Sequence, residues 1–177
     1  GYRFGGGEKS ACIVGALRGN EIQQLYICSQ LVKALKELEA HGAISHNHEI
    51  LVIPSVNRFS MNVGKRFWPT DNSDINRAFP GDVNGDTTKQ IAGTLFDRIK
   101  GYSYGIHFAS FYMPGDFIPH VKMMDTGFQS ASLANLFGLQ YVVIRKPKPM
   151  DTVTLNYNWQ MNGTNAFSIY TNSTDMI

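Results

Sequence analysis

The sequence predicts an α/β fold in which a central sheet has helices on both faces. First, short apolar runs rich in β-branched residues, typical of buried strands, recur along the chain. Second, segments with apolar residues at three- or four-residue spacing lie between these runs, as expected of helices that cover a sheet. Third, a strand, a glycine-containing turn and a helix follow one another directly at residues 11–24. In open α/β sheets this arrangement places side chains at the carboxyl end of a strand.

The first strand and the first helix flank that turn. The run Cys12–Leu17 is predicted to form a buried strand, and Gly15 and Gly19 permit a sharp turn with close approach of the backbone. A helix is predicted from near Asn20 to its C-terminal glycine, Gly42. Its apolar stripe recurs every three or four positions, at Leu25, Cys28, Val32, Leu35 and Leu38.

The remaining elements follow from the same patterns. Strands are predicted at Ile50–Val56, Tyr104–Ala109, Gln140–Arg145 and Ala166–Thr171. Helices are predicted from Thr87, capped by Thr87 with Gln90, and over Thr126–Gly138, capped by Thr126 with Gln129. Loops are predicted at Tyr2–Lys9, Asn57–Gly81 and Met150–Asn165.

The composition is that of an ordinary globular protein, with 43% hydrophobic and 17% charged residues among 177. A net charge of +2 gives no reason to expect nucleic acid or a membrane surface as a partner. No apolar run approaches the roughly 18 residues that a membrane helix needs. Cys12 and Cys28 fall in predicted elements, where we expect buried apolar side chains rather than a disulfide. We therefore expect a single cytoplasmic domain, residues 1–177.

Two motifs carry a resemblance to a known family. The turn matches G-x-H-G-D-E at Gly19 and Glu21. The long loop matches N-x-x-A-x-x-x-x-x-R followed by D-x-N-R-x-F-P-G at Asn57, Arg66, Asp74, Asn76, Arg77, Phe79, Pro80 and Gly81. On these motifs the chain resembles the succinylglutamate desuccinylase/aspartoacylase family, relatives of the zinc carboxypeptidases. The resemblance implies a mixed, mostly parallel sheet of the zinc-carboxypeptidase kind, and a catalytic-type domain without the C-terminal β segment that members usually carry.

The resemblance also implies roles for individual residues. In the family, the positions of Glu21 and His107 bind zinc. The asparagine–arginine pair, here Asn76 and Arg77, and an upstream arginine, here Arg66, hold the carboxylate of the substrate. The implied activity is metal-dependent hydrolysis or deacylation of N-acyl amino acids or short peptide-like carboxylates, with zinc as the cofactor. The implied partner is a small carboxylate, with no nucleic acid and no membrane.

Three positions depart from the family pattern. Arg18 stands where the other zinc-binding histidine is expected, and its guanidinium has no lone pair to offer a metal. Gly105 replaces an aspartate, and Tyr170 stands at the position of the glutamate that serves as general acid/base. Arg18 and Glu21 are three residues apart, so we expect the two side chains to meet in one crevice, with zinc weakly bound or absent.

These departures leave several hypotheses open. The first is a metal-dependent hydrolase or deacylase, and the second is a catalytically impaired carboxylate-binding module on the same scaffold. A metallocarboxypeptidase is a third. Arg77 either binds the carboxylate of a substrate or braces its loop by pairing with Asp74 or Asp82. His120, in a predicted strand with the family's P-H-V pattern, is expected to be structural or to lie at the rim of the pocket.

Overall fold

A computed structural model describes residues 1–174 as seven strands and four α-helices around one sheet. The strands are β1 Tyr2–Gly5, β2 Glu8–Ala16, β3 His48–Ser55, β4 Tyr104–Phe111, β5 His120–Met124, β6 Tyr141–Arg145 and β7 Asn165–Ser173. The helices are α1 Ile22–Ala40, α2 Arg58–Asn62, α3 Thr87–Ile99 and α4 Leu155–Met161. Shorter 3₁₀ segments span Ile75–Arg77, Ala131–Phe137 and Pro149–Val153.

The sheet has the strand order β1-β3-β2-β4-β7-β5-β6. The pairs β2–β3, β2–β4, β4–β7 and β5–β6 are parallel, whereas β1–β3 and β5–β7 are antiparallel. This confirms the predicted α/β fold with a mixed, mostly parallel sheet. The three strands predicted around the turn, β3, β2 and β4, lie side by side as expected.

The two faces of the sheet are covered by different helices, because neighbouring residues of a strand point to opposite faces. Ile13 of β2 packs with Cys28, Val32 and Leu35 of α1 on one face. On the other face, Cys12 and Val14 belong to a larger core with apolar residues of α3 and α4. Both cysteines are buried and free, as predicted.

Two segments predicted as loops are regular structure instead. Within Tyr2–Lys9, residues Tyr2–Gly5 pair antiparallel with β3 at the edge of the sheet. Within Met150–Asn165, a 3₁₀ segment precedes α4, whose Trp159 is fully buried and donates its indole N–H to the carbonyl of Ile99. The polar sequence of α4 lacks a clear apolar stripe, because asparagine and glutamine side chains there are also buried.

The helix predicted over Thr126–Gly138 is also wrong. Only Ala131–Phe137 is helical, as a 3₁₀ segment capped by Ser130, although Gly138 does end it in the left-handed conformation. The two residues of the predicted cap bond to other elements. The hydroxyl of Thr126 donates to Gln160, and the side-chain amide of Gln129 bonds to both backbone groups of Ala166.

The helix α3 begins where the sequence indicates, but a different residue caps it. The Asp86 carboxylate accepts from the backbone N–H of Lys89 at 2.9 Å, so Asp86 is the N-cap and Thr87 is the first helical residue. The side chain of Gln90 donates to the carbonyl of Gly85. The long Asn57–Gly81 loop contains α2 and a 3₁₀ turn and is not structureless. None of the helices within residues 1–174 is long and apolar enough to cross a membrane.

Candidate functional site

A cavity of about 420 Å³ opens near the carboxyl ends of β2 and β4. Its walls come from β4, β5, β7, the Asn57–Gly81 loop and the segment between β6 and α4. Several polar side chains in it were expected from the sequence, namely Arg18, Arg66, Asn76, Arg77, His107 and Tyr170. The fold thus brings these candidate residues together from positions far apart in the chain.

The turn after β2 is tightly packed against the long loop. A Cβ atom at Gly19 would lie 2.1 Å from the carbonyl oxygen of Lys65, so no larger residue fits there. The backbone N–H of Gly19 donates to the carbonyl of Arg66 at 3.0 Å. These contacts fix the relative positions of the turn and of Arg66.

Glu21 is 1% exposed and folds back over the turn. Its Oε2 accepts from the backbone N–H groups of Leu17 and Arg18, both at 3.0 Å, and its Oε1 accepts from Arg18 Nη1 at 3.2 Å. Burial raises the pKa of the Glu21 carboxyl, while the charge and hydrogen bonds of Arg18 act in the opposite direction. Glu21 therefore lies beneath Arg18 with both of its oxygens engaged.

Arg18 is held between two carboxylates. Its Nε and Nη2 donate to the two oxygens of Asp74 at 3.1 and 2.8 Å, a two-pronged pair, and Nη1 donates to Glu21. The predicted contact between Arg18 and Glu21 is confirmed. Burial alone would lower the pKa of Arg18, but the hydrogen bonds to Asp74 and the two negative charges raise it above its ordinary value. The guanidinium therefore remains charged.

This arrangement does not fit a zinc site. Zinc needs three protein ligands with free lone pairs and an open position. Residues 1–174 contain no group of three or more histidine, cysteine, aspartate or glutamate side chains placed to hold a metal ion. Both oxygens of Glu21 already accept hydrogen bonds, and the Arg18 cation lies against them.

His107 on β4 is 3% exposed, and its Nε2 has no hydrogen-bond partner among the described residues. Burial lowers its pKa to about 3, and the nearby Arg18 charge contributes to this. His107 is therefore a neutral imidazole at pH 7. His107 is one of the residues that line the cavity.

The three residues expected to hold a substrate carboxylate all line the cavity, but their contacts differ. The Arg66 guanidinium lies over the rings of Phe67 and Tyr112, and its buried Nε has no partner among residues 1–174. Asn76 uses its side-chain oxygen to accept from the backbone N–H of Leu155 at 3.0 Å. That hydrogen bond ties the loop to the start of α4.

Arg77 does not form either of the ion pairs considered for a loop brace. Its Nη1 donates to the carbonyl of Met150 at 3.0 Å. Asp74 pairs with Arg18 instead, and Asp82 accepts from the backbone N–H of Asn84. Within the described part of the chain, Arg77 thus has no carboxylate within the 4.0 Å of an ion pair, although its charge helps to lower the pKa of Asp151.

The other two departures, Gly105 and Tyr170, have different surroundings. A Cβ atom at Gly105 would lie 2.7 Å from two ring carbons of Trp159, so the buried indole excludes an aspartate there. Tyr170 lines the cavity and stacks on His120 with ring centroids 5.2 Å apart. Burial raises the pKa of the Tyr170 hydroxyl. His120 is not among the residues that line the cavity and meets this wall only through its contact with Tyr170.

Sequence reasoning missed three charged residues of the cavity wall. Arg145 makes a two-pronged pair with Asp151 at 2.6 and 2.7 Å, so both carboxylates that line the cavity, Asp74 and Asp151, are paired with arginines. Lys122 has its pKa lowered by burial and by the charge of Arg145. Its place could have been found, because Val121 and Met123 are core residues and strand alternation puts Lys122 on the other face.

Two more buried polar atoms of the wall lack partners, although the amide nitrogen of Asn156 donates to the hydroxyl of Ser168 at 2.7 Å. Ser110 and Asn156 are 8% and 7% exposed, and the hydroxyl of the first and the side-chain oxygen of the second make no hydrogen bond within the described residues. Neither belongs to a recognisable motif, so no sequence signal indicated them.

Comparison with known proteins identifies the scaffold. The sequence model of the succinylglutamate desuccinylase/aspartoacylase catalytic domain matches residues 8–169. The N-alpha-acetyl-L-2,4-diaminobutyric acid deacetylase of Halomonas elongata is 28% identical over 90 residues, which is 51% of this chain and 24% of the deacetylase.

Two solved structures share the fold. An aspartoacylase family protein of Mesorhizobium loti superposes with a TM-score of 0.76 at 21% identity, over 96% of this chain and 54% of that protein. A metallo-carboxypeptidase of Burkholderia cenocepacia gives a TM-score of 0.68 at 13% identity, over 95% and 49%. The chain thus spans about half of the length of these structures. Because the family's sequence model covers most of the chain, the chain belongs to the succinylglutamate desuccinylase/aspartoacylase family.

Proposed function

We propose that this domain binds a small carboxylate-bearing ligand of the N-acyl amino acid or short-peptide class, without the zinc chemistry that the family resemblance implies. The observation that carries the proposal is that some cationic side chains in the cavity have no carboxylate partner. Arg66, Arg77 and Lys122 line it and have no carboxylate partner within 4.0 Å among residues 1–174, whereas Arg18 and Arg145 are paired.

The balance of charge supports an anionic ligand. Five cationic side chains line the cavity, against two carboxylates in its wall and Glu21 beneath Arg18. A concave site with surplus positive charge attracts and orients anions. A guanidinium such as that of Arg77 can also pair with both oxygens of a carboxylate.

Unpaired polar atoms support a ligand as well. Among the described residues, seven buried side-chain polar atoms lack a hydrogen-bond partner, and four of them belong to residues of the cavity wall: Arg66 Nε, His107 Nε2, Ser110 Oγ and Asn156 Oδ1. A buried polar atom without a partner costs about 1–3 kcal/mol. Concentration of such atoms around one cavity is expected where a ligand or water supplies the missing partners.

The second candidate is a metal-dependent deacylase or carboxypeptidase acting on the same class of ligand. The match to the catalytic-domain model over residues 8–169 favours it, as does the activity of the Halomonas elongata relative. Glu21 and His107 retain two of the family's ligand positions. The fixed Arg18 cation and the lack of an unpaired carboxylate in the described cavity wall make this candidate the weaker one.

The experiment is calorimetric titration of N-acetyl-L-aspartate, N-acetyl-L-alanine and glycyl-L-alanine, with amine release measured in parallel with and without added zinc. Arg77→Ala is expected to weaken binding by about 1.5–3 kcal/mol, the scale of a charge-assisted hydrogen bond, with little change in thermal stability. Arg98→Ala is the matched control, because Arg98 is exposed on α3 and lies outside this cavity.

The outcomes separate the candidates. Lost stability with unchanged affinity in Arg77→Ala would show that Arg77 braces its loop through Met150. Zinc-dependent amine release by the unmodified protein would establish the second candidate. Failure of all three probes to bind would contradict the proposed function.

A further inference from the structure

Arg18 has hydrogen-bonding capacity that its protein partners do not use. A guanidinium carries five N–H groups, one on Nε and two on each terminal nitrogen. The bonds to Asp74 and Glu21 engage Nε and one N–H of each terminal nitrogen. One N–H on Nη1 and one on Nη2 therefore have no acceptor among residues 1–174. The side chain is 15% exposed and borders the cavity.

His107 supplies a second, independent observation beside Arg18. It is 97% buried, it lines the same cavity, and its Nε2 is unpartnered among the described residues. The two residues are neighbours in space, since Arg18 follows the end of β2 and His107 lies on the adjacent strand β4, paired with Val14. In its Nε2–H tautomer the imidazole is a hydrogen-bond donor.

We propose that Arg18 and His107 form an inner anion site that binds a second carboxylate of the ligand, in the region where the family resemblance places zinc. This inference rests on the proposed function, because the first carboxylate of the same ligand binds at Arg66, Arg77 or Lys122. The N–H groups on the two terminal nitrogens of a guanidinium match the spacing of two carboxylate oxygens. The ligand class is thus a small dicarboxylate.

The charge of the cavity agrees with a dianion. The five cations of the wall exceed Asp74, Asp151 and Glu21 by two positive charges, which would balance the two negative charges of a dicarboxylate. Asp74 and Glu21 also fix the orientation of the guanidinium before the ligand arrives. Such preorganisation lowers the cost of ordering on binding.

The test is calorimetric titration of succinate, glutarate and adipate and of the monoamide of each, which lacks one carboxylate. For the length that fits best, we expect the dicarboxylate to bind about tenfold or more tightly than its monoamide. Arg18→Lys retains the charge but replaces the fork with one ammonium, and should reduce this ratio to about twofold. Arg98→Ala should leave the ratio unchanged.

Equal affinity of the unmodified protein for dicarboxylate and monoamide would overturn the inference alone and leave the proposed function standing. The same holds if the ratio survives in a folded Arg18→Lys protein. If that variant fails to fold, Arg66→Ala, Arg77→Ala and Lys122→Ala decide. Because the first carboxylate binds at one of these cations, loss of the ratio in no more than one of the three variants supports the inner site. Loss of the ratio in two of them would assign both carboxylates to those cations and overturn the inference. Absence of binding by every probe would overturn the proposed function as well.

Discussion

A guanidinium and a zinc-binding imidazole at the same position need different chemical groups around them. A zinc-binding histidine offers a lone pair and needs other lone pairs around the metal, whereas Arg18 offers only N–H groups and needs acceptors. The neighbours of Arg18 meet that need, since Asp74 takes two of its bonds and Glu21 a third. A residue that could serve as a metal ligand, Glu21, is thereby a partner in an ion pair.

Arg18→His is expected to raise the affinity for zinc by orders of magnitude. The substitution removes a like charge and adds an imidazole beside Glu21 and His107. Zinc titration by calorimetry of the unmodified and substituted proteins measures the effect. Arg18→Met is the control, because it removes the cation without adding a ligand. Full-strength zinc binding by the unmodified protein would show that another arrangement of side chains completes a metal site.

At the scale of single elements, close packing decides which residues are possible on a strand. Gly105 of β4 lies against the buried ring of Trp159 in α4, and the indole N–H of Trp159 bonds to the end of α3. The three elements therefore share one contact point. Glycine at position 105, where the family has an aspartate, leaves the space that the large ring of Trp159 occupies.

Gly105→Ala is expected to lower the free energy of unfolding by about 1–3 kcal/mol, because the added methyl group would lie 2.7 Å from Trp159. Gly93→Ala is the matched control. A Cβ atom there meets nothing nearer than 3.6 Å, so alanine in α3 should be neutral or stabilise by up to about 1 kcal/mol. Denaturant unfolding of both variants measures the difference. Equal changes in the free energy of unfolding of the two variants would mean that α4 moves to accommodate the methyl group without loss of stability.

The start of α3 allows a direct test of which residue caps it. Asp86→Ala removes the side-chain bond to the backbone N–H of Lys89 and should cost about 1 kcal/mol of stability. Thr87→Ala changes the neighbouring residue, which makes no such bond, and should cost much less. Thermal unfolding distinguishes the two. A larger loss in Thr87→Ala would restore the cap predicted from the sequence.

At the scale of the whole molecule, the free energy of unfolding should fall in acid, because carboxylates that pair with arginines become protonated. Hydrogen bonds from Arg145 hold the pKa of Asp151 below its ordinary value. A carboxyl with a lowered pKa in the folded state stabilises the fold above its unfolded pKa, about 3.9 for aspartate, and loses that contribution as the pH falls further. The decline should therefore begin near pH 4.

Asp151→Asn should lower the free energy of unfolding at neutral pH by about 2 kcal/mol and make its decline below about pH 4 shallower. The loss arises because Arg145 would keep its charge without its partner. Asp97→Asn is the control. Asp97 and Lys100 form an exposed pair, which is worth less than about 1 kcal/mol. Urea unfolding at several pH values measures both. Parallel pH profiles for Asp151→Asn and the unmodified protein would contradict the expectation.

The sequence was most informative where burial alone decides structure. The strands around the turn could be predicted because most residues of Cys12–Ala16 in β2 and of β4 are apolar, and the fold class followed from the alternation of strands with helices. Thr126 and Gln129 misled, because their side chains bond to distant partners that local spacing cannot reveal. Residues of the cavity wall could be predicted where motifs marked them, as at Arg18 and Arg77, whereas their roles stay predictions. Arg145 and Asp151 become part of it only through the tertiary fold.

The fixed cation at Arg18 has a consequence for how the site becomes ready for use. A zinc protein must acquire its ion from a cellular pool after synthesis, and it competes for that ion with every other metal protein. The guanidinium arrives with the polypeptide, and Asp74 and Glu21 orient it as the chain folds. The site therefore acquires its positive charge as the chain folds. Metal starvation or a strong chelator should leave that charge in place.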